Sequence, residues 1–539
     1  MKLHKIALIT LAVLAAGCQG GEEMEIKPDY ANVELSSESV VVAPESQMKT
    51  LFVSSNRKEW SVEEACGWLD VNIDGNAITL FIDENTSAEG RLGVVEIVAG
   101  EQPDVAKARL KVYQEGKSTA NLSAEATANC YIAPTGGSYR FDAQVKGNGK
   151  GDGNSRYIEF EGVEIEGATY AELAWESTFD GDKTRSTKVI LNEPVYSAEQ
   201  EAIFFTTGEC EGNALITLHN AAGKILWSWH IWVVNERIGS TSIAGIDWMD
   251  RNLGALNNTP GDVNNRGLLY QWGRKEPFLP STKPYDKVPT HKYDAEGNLL
   301  ESEEEYYATE NAIVAARERL NVNNEQVGNG SQEWQYAGYI APVALSAPGN
   351  IDYALNHPTT FLGCRVDIPI GEYVFDWYLQ QDLEGKGSVM QQSDSYLWGD
   401  SRTTDNYKTI FDPCPVGYVV PPTGAFGEIP AGYACTYGDR DWSMGDYGWD
   451  WNVGEGLHFP RVGNFDVSGL IGETSERILY WTAESFGSNY EGFGKAAMLF
   501  EAFDEIFYGI YPILDPAEMA AWYSYGAKCI GASVRCVKE

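Results

Sequence analysis

A run of aromatic rings and carboxylates over residues 439–452 has the chemistry to bind sugars. It reads Asp-Arg-Asp-Trp-Ser-Met-Gly-Asp-Tyr-Gly-Trp-Asp-Trp-Asn. Aromatic rings stack on the apolar face of a sugar, carboxylates and amides accept hydrogen bonds from its hydroxyl groups, and glycines let rings stand at a loop tip. In the alternative interpretation, the rings pack the loop onto its own domain. The predicted ligand contacts are Trp442, Asp446, Tyr447, Trp449, Asp450 and Trp451.

Cys18 is a candidate for lipid attachment. Two lysines precede an apolar run that is too short to span a bilayer, and the run ends in small residues before Cys18. These features predict a secretory signal peptide over residues 1–17, whose cleavage leaves the cysteine at the new N-terminus. Acyl chains there would anchor the protein by about 0.8 kcal/mol per buried methylene. Residues 18–32 read as a polar tether, and an ordinary signal peptide with a chance cysteine is the alternative.

The remaining cysteines favour disulfides over metal binding. Nine cysteines less Cys18 leave eight, which lie far apart and show no Cys-x-x-Cys or Cys/His metal spacing. An exported chain permits disulfides. Connectivity does not follow from one sequence, and two pairings are considered: Cys414 with Cys536, and Cys130 with Cys210.

Motifs for catalysis, metals and cofactors are missing or incomplete. The sequence has no Gly-x-Ser-x-Gly elbow and no His-Glu-x-x-His pair. A run from Asp70 to Gly75 begins like a calcium loop, but Phe81 stands where the closing glutamate belongs. A hairpin turn is predicted there instead. His230 is predicted to be structural. We therefore predict no metal, no cofactor and no catalytic residue.

Length and charge narrow the class of protein. At about 150 residues per domain, 539 residues predict three or four domains. A hydrophobic content of 43% is enough to build real cores. The net charge of −38 repels phosphate backbones, so nucleic acid is disfavoured as a partner.

Residues 33–116 are predicted to form an immunoglobulin-like β-sandwich. Short apolar runs recur at roughly the 8–12-residue spacing of such folds, with turn residues between them. Five short motifs resemble, in their order, a BACON domain, which is an immunoglobulin-like module of Bacteroidetes surface proteins. The resemblance implies glycan binding or a spacer role. The motifs are Trp60, Trp68-Leu69-x-Val71, Asn85-x-Ser87, Arg91-x-Gly93 and Gln114-x-Gly116.

Residues 118–236 are predicted to form a second β-sandwich-like domain. Its last strand reads Trp-Ser-Trp-His-Ile-Trp-Val from Trp227 to Val233. Alternation in a strand places Trp227, Trp229, Ile231 and Val233 on one face, which is predicted to form the core. His230 is predicted to point the other way.

Residues 237–539 form the largest block, with long loops and a helix predicted over residues 310–320. Four segments resemble, in order, the Fibrobacter succinogenes major paralogous domain. The resemblance implies an α+β fold like that of C-type lectins, with residues 424–475 as the displayed loop region. The calcium signatures of such lectins are absent. The segments are Trp248–Ala255, Gly267–Lys275, Asp412–Pro421, and Tyr480–Glu484 with Ser533–Lys538.

The N-terminal motif resembles a bacterial lipobox, and the acidic residues after Cys18 resemble the export signal of Bacteroidetes surface lipoproteins. The resemblances together imply a mostly β, non-catalytic lipoprotein at the surface of the outer membrane, bound to lipid through its acylated N-terminus. Its partners would be glycans, or surface or fimbrial proteins in an adhesive assembly. One alternative is protein–protein assembly without glycan binding. Another is an enzyme of formylglycine-generating fold that uses Cys529 and Cys536 as a reactive pair. A third is a glycosidase, for which the many carboxylates do not single out a catalytic pair.

Overall fold

The computed structural model of this protein is mostly β, which confirms the predicted class. None of the helices it describes is long and apolar enough to cross a membrane. The described residues are 30–64, 66–149, 162–178, 188–260, 262–279, 287–289, 292–293, 299–300, 305–307, 313–314, 347–359, 361, 377, 397–399, 408–422, 425–428, 451–452, 457–460, 462, 464–465, 471–472, 477–485, 495–502 and 522–539.

The first eight strands form a sandwich of two four-stranded sheets, which we call sandwich 1. One sheet has the order β1-β3-β6-β5 and the other β2-β8-β7-β4, with β2 parallel to β8 and the remaining pairs antiparallel. This is the strand order of immunoglobulin constant-type domains, with the first strand divided between the sheets. The strands are β1 Val33–Leu35, β2 Ser39–Val42, β3 Gln47–Ser55, β4 Trp60–Glu64, β5 Leu69–Asp74, β6 Ala77–Ile82, β7 Arg91–Glu101 and β8 Asp104–Gln114.

The hairpin between β5 and β6 confirms the predicted turn. Asp74 pairs with Ala77, so two residues make the connection. Gly75 has a φ of 60°, which glycine adopts without a steric cost. On β6 the inward residues Ile78 and Leu80 are fully buried.

Several motif residues of the BACON resemblance hold loops together at one end of sandwich 1. The side-chain amide of Gln114 donates to the carbonyl oxygens of Pro44 and Asp83, at 3.0 and 2.9 Å. Its oxygen accepts from the guanidinium of Arg91 at 2.8 and 2.9 Å. Arg91 in turn lies 4.3 Å above the ring of Trp68. These contacts give Gln114, Arg91 and Trp68 a role in the stability of the fold.

The next eight strands form sandwich 2, which repeats the topology of sandwich 1. Its sheets have the orders β9-β11-β14-β13 and β10-β16-β15-β12. Counted from the first strand of each sandwich, both show the orders 1-3-6-5 and 2-8-7-4. The pairing of β9 with β11 is parallel, unlike that of β1 with β3. The strands are β9 Ala120–Asn121, β10 Cys130–Ala133, β11 Ser138–Asp142, β12 Ala168–Thr178, β13 Val195–Ser197, β14 Ala202–Thr206, β15 Gly212–Asn220 and β16 Ile225–Val233.

The remaining elements belong to a C-terminal block, which begins and ends in one sheet of order β17-β18-β34-β25. A second sheet has the order β29-β28-β33-β30-β31-β32, with β19 paired to β33. Among the described residues of the block, α1 Ala347–Asn356 is a helix, and 3-10 turns span Val263–Asn265 and Ala425–Glu428. The strands are β17 Ser240–Ile243, β18 Ile246–Met249, β19 Leu269–Gln271, β20 Lys287–Pro289, β21 Lys292–Tyr293, β22 Leu299–Leu300, β23 Glu305–Tyr307, β24 Ile313–Val314, β25 Tyr418–Val419, β26 Trp451–Asn452, β27 His458–Phe459, β28 Asn464–Phe465, β29 Ile471–Gly472, β30 Arg477–Ser485, β31 Lys495–Ala502, β32 Trp522–Ala527, β33 Gly531–Ser533 and β34 Val537–Lys538.

The helix predicted over residues 310–320 is wrong at its centre. Ile313 and Val314 form β24 and pair with Thr178 and Ser177 at the edge of sandwich 2. Both residues are β-branched, which favours a strand wherever an edge can accept one. The rest of the predicted helix lies outside the described residues.

The four segments of the second resemblance contact one another in the C-terminal block. The side chain of Asn252 donates to the hydroxyl of Tyr480 at 2.8 Å and accepts from Arg535 at 2.8 Å. The indole of Trp481 donates to the carbonyl oxygen of Tyr270 at 2.8 Å. These contacts join residues more than 200 positions apart in the sequence.

The cysteine pairings are correct in one case and wrong in the other. A disulfide joins Cys414 to Cys536. Cys130 is a buried free thiol, so it does not pair with Cys210. Burial raises the pKa of the Cys130 thiol far above its ordinary value. Cys529 is itself disulfide-bonded, and because the partner of Cys536 is Cys414, Cys529 and Cys536 do not form a pair.

Both faces of β16 are buried, although only one was predicted to face a core. Trp229 packs inside sandwich 2, with its ring 5.2 Å from that of Phe141. On the other face the indole of Trp232 donates to the carbonyl oxygen of Ala255 in the C-terminal block at 3.1 Å. His230 shares that second face and donates from Nε2 to Asn213 Oδ1 at 2.8 Å. The second face is therefore an internal contact between sandwich 2 and the C-terminal block.

A buried charge cluster lies at this contact. Lys275 Nζ is 2.6 Å from both Glu276 Oε1 and Ser228 Oγ, and 4.3 Å from the centre of the Trp227 ring. Burial lowers the pKa of Lys275 to about 8, which leaves it charged at neutral pH. Burial alone would raise the pKa of Glu276, but Lys275 and Arg274 beside it hold the pKa below its ordinary value. Two cations therefore share one carboxylate where water is excluded.

We expect Glu276→Gln to destabilise this contact by about 3–5 kcal/mol, because it leaves two buried cations without their carboxylate. Native-state hydrogen exchange of the β16 amides measures the loss locally, which suits a multidomain chain. Glu199→Gln is the matched control. It breaks the 3.1 Å pair of Glu199 with Lys49, which is largely exposed, and should cost less than about 1 kcal/mol. Equal effects of the two variants would contradict the assignment.

His230 should make the protein acid-sensitive. Burial lowers its pKa to about 3, whereas the unfolded chain has a histidine pKa of about 6.5. The unfolded state then binds the proton first, so stability is full above about pH 6.5 and falls as the pH drops towards 3. Urea unfolding followed from pH 7 to pH 4 measures this fall. In His230→Gln, whose amide can still donate to Asn213, the fall should be smaller; an unchanged pH dependence would be evidence against this origin.

Candidate binding cleft between the two sandwiches

A five-residue linker, residues 115–119, joins β8 to β9 and holds the two sandwiches in contact. Tyr113 at the end of β8 is fully buried at this contact. Its hydroxyl lies 3.1 Å from Thr206 Oγ1, and its ring centre lies 5.8 Å from that of Phe204. Because the linker is short and the ring is buried, the sandwiches meet in a packed interface rather than through a flexible hinge.

A cleft of about 260 Å³ opens beside this interface. Sandwich 1 contributes the start of β2 and two basic positions of β8, and sandwich 2 contributes the start of β12 and the approach to β13. The hydroxyl of Ser39 on sandwich 1 donates to the carbonyl oxygen of Tyr196 on sandwich 2 at 2.7 Å. The lining residues are Glu38, Ser39, Arg109, Lys111, Tyr170, Ala171, Glu172, Glu193, Pro194, Val195 and Tyr196.

Hydrogen-bond donors and acceptors both line the cleft. Lys111 Nζ lies 2.8 Å from Glu193 Oε2, and the exposed guanidinium of Arg109 lies 3.8 Å from the other oxygen of the same carboxylate. Glu38 and Glu172 add two further carboxylates. Cations that can only donate therefore stand beside carboxylates that can only accept.

Tyr170 lines the cleft on the sandwich 2 side, and an imidazole supports its ring from behind. The ring of Tyr170 stacks on the imidazole of His219, with centres 4.7 Å apart and planes 8° apart. His219 Nδ1 lies 3.3 Å from the carbonyl oxygen of Gly223, which can only accept, so Nδ1 carries the proton. Nε2 lies 2.9 Å from the hydroxyl oxygen of Thr217, which also lies 3.3 Å from the carbonyl oxygen of Glu172. Burial lowers the pKa of His219, so the ring is neutral at pH 7 and holds Tyr170 in place.

This arrangement is suited to a small hydroxyl-rich ligand. A sugar hydroxyl can donate to a carboxylate while it accepts from a cation, and the cleft presents the two side by side where Lys111 of sandwich 1 meets Glu193 of sandwich 2. His219 covers one face of the Tyr170 ring, and the opposite face is the surface on which an apolar sugar face can stack. The volume is slightly below the roughly 300–1,000 Å³ of sites for drug-sized ligands, so the cleft has room for a small ligand only.

The predicted sugar-binding loop lies almost entirely outside the described residues. Trp451 is the first residue of β26, where its backbone pairs with Phe459 of β27. Within the part of the chain that the structure describes, no group of three or more histidine, cysteine or carboxylate side chains could hold a metal ion. The predicted site residues outside this part are Cys18, Trp442, Asp446, Tyr447, Trp449 and Asp450.

The sequence prediction missed the cleft, because its residues come from four segments of two domains. The one available signal was the length of the linker. The predicted domains end at residue 116 and begin at residue 118, and two sandwiches joined so closely must touch. Which side chains line their contact depends on the angle between the sandwiches, for which the sequence carries no local pattern.

No protein-family model and no curated protein matches this chain. A protein of Bacteroides thetaiotaomicron solved by NMR is similar, with 18% identity, covering 19% of this chain and 98% of its own at a TM-score of 0.14. A protein of Bacteroides vulgatus has 20% identity, with coverages of 16% and 91% and a TM-score of 0.12. The titin immunoglobulin tandem domains have 10% identity, with coverages of 38% and 97% and a TM-score of 0.13. At such low TM-scores these similarities do not identify the fold. We assign the fold of both sandwiches from their strand order.

Gly116 should be required for the linker to pack against the β6–β7 loop of sandwich 1. A methyl group added there would lie 2.0 Å from the carbonyl oxygen of Ala88, which is backbone and cannot turn away. We expect Gly116→Ala to destabilise this packing by about 1–3 kcal/mol, measured by hydrogen exchange of the β7 and β8 amides and of the linker amides of Lys117 and Ser118, which bond to the same loop. Gly67→Ala is the control, since nothing lies within 4 Å of its added methyl group. Unchanged protection in Gly116→Ala would argue against a linker held closely on sandwich 1.

Proposed function

We propose that this protein is a non-catalytic lipoprotein of the outer-membrane surface that binds glycans. One observation carries the proposal: at a packed junction of two immunoglobulin-type sandwiches, a cleft combines the ring of Tyr170 with cations that stand beside carboxylates. Such a cleft suits a ligand with hydroxyl groups, because each hydroxyl is both a donor and an acceptor.

The anchor and the domain order support a role at the surface. Cys18 follows a short signal sequence and would carry the lipid. Two sandwiches of one topology, joined by a packed interface, form a stiff stalk between the anchor and the C-terminal block. In this proposal residues 33–116 are a BACON-like module, and residues 237–539 are a lectin-like domain whose 439–452 loop is a second glycan site.

Glycan binding is tested on the mature chain made soluble by removal of residues 1–17 and the change Cys18→Ser. The protein is applied to a glycan array, and the mono- and disaccharides that bind are titrated by calorimetry. We expect Tyr170→Ala to weaken binding by about tenfold, because it removes the stacking surface. Tyr30→Ala is the matched control, since Tyr30 is 67% exposed and lies outside the cleft.

A second variant separates the two proposed sites. If affinity is lost in a Trp449→Ala and Trp451→Ala double variant but kept in Tyr170→Ala, glycans bind at the loop and the cleft assignment fails. If the array shows no binding at all, glycan recognition fails, and protein–protein assembly becomes the better proposal. Palmitate labelling of the wild type and of Cys18→Ala tests the anchor independently.

A further inference from the structure

The outer face of the sheet β1-β3-β6-β5 carries an exposed apolar cluster. Met48 and Phe52 on β3 are 67% and 58% exposed, and Phe81 on β6 is 44% exposed. The strand register places Met48 directly opposite Phe81. Cross-strand neighbours have their Cβ atoms about 4.5–5.5 Å apart, so the two side chains form one continuous surface. Large apolar side chains that adjoin in this way mark an interaction surface more often than single ones do.

Small side chains extend this surface between the rings. Thr50 and Thr79 stand opposite each other in the next row and share a hydrogen bond of 3.1 Å between their hydroxyls. Ala77 stands opposite Phe52 in the row beyond. Because the two hydroxyls are hydrogen-bonded to each other, the threonines add mainly their methyl groups to the outer surface. The apolar surface therefore runs without a break from Met48 to Phe52.

Carboxylates lie along both sides of this apolar surface. Asp70 and Asp74 on β5 pair in register with Phe81 and Ala77, and Glu34 on β1 faces outward on the other side. The outward positions of these four strands carry no lysine and no arginine. The structure describes the side chains at all of those positions. The face thus has the anatomy of a protein interface, with an apolar centre and a charged rim of one sign.

The charge of the rim selects among possible occupants. A second copy of the chain would bring the same three carboxylates against this rim, and like charges facing each other oppose association. Anionic lipid head groups would be repelled for the same reason. A polypeptide with apolar side chains at its centre and lysine or arginine around them complements both features.

We propose that this sheet face docks a basic, amphipathic segment of a partner protein. Its apolar side chains cover Met48, Phe52 and Phe81, and its cations pair with Asp70 and Asp74. The site lies on sandwich 1 alone, so it is separate from the cleft and does not depend on glycan binding. The protein would then have a protein-binding face in addition to its glycan-binding cleft.

The test compares two synthetic peptides of equal charge, one alternating lysine with leucine and the other alternating lysine with serine. Binding to the mature soluble chain is measured by fluorescence anisotropy at several salt concentrations. We expect the leucine peptide to bind about tenfold more tightly, and Phe81→Ser to remove that difference. Leu191→Ser is the matched control, because Leu191 is 41% exposed on sandwich 2. Asp70→Asn combined with Asp74→Asn should reduce the salt dependence.

Several results would overturn the proposal. These are equal binding of both peptides, a leucine preference that survives both Phe81→Ser and Met48→Ser, or competition by neutral glycans for the same face. A dimer seen by sedimentation that Phe81→Ser dissolves would assign the face to a second copy. Hydrogen-exchange protection of β6 must be unchanged in each variant, so that loss of binding reports on the surface and not on unfolding.

Discussion

Strand β16 carries three tryptophans, and different parts of the chain bury their rings. Trp229 packs inside sandwich 2, Trp232 is bonded to the C-terminal block, and Trp227 lies under Lys275 and beside Phe411. One hydrophobic core therefore extends from sandwich 2 into the block. Because a strand buried on both faces has no solvent side, sandwich 2 and the block depend on each other for their stability.

The polar groups at this contact specify how the two parts fit. A hydrophobic contact alone tolerates several arrangements, whereas buried donors and charges must each meet a partner. Asn129 shows this requirement, because its amide donates to the carbonyl oxygens of Ile410 and Asp412 while its oxygen accepts from Trp227. The disulfide of Cys414 with Cys536 lies nearby in sequence and closes the block on itself. The block is therefore held in one register against sandwich 2.

The two sandwiches share one topology but differ in how much of their surface is free. Sandwich 1 keeps a sheet face in solvent, and Phe52 and Phe81 stand on it, whereas the sheet of sandwich 2 that contains β16 is covered by the block. The junction between them adds a cleft that neither sandwich has alone. The same topology therefore gives a solvent-exposed sheet face in sandwich 1 and a covered sheet in sandwich 2, with a cleft at their junction. What each sandwich contacts decides the difference.

Local sequence patterns were enough to predict the β class and the turn at Gly75, because strand alternation and turn chemistry are local properties of the backbone. Other features could be known only once the chain was folded. The free thiol of Cys130, the strand at Ile313, the burial of His230 and the Tyr170 wall of the cleft each depend on which distant segments meet. Such tertiary contacts depend on how whole sheets pack against each other, and the side-chain pattern of one segment does not indicate which other segment it will contact.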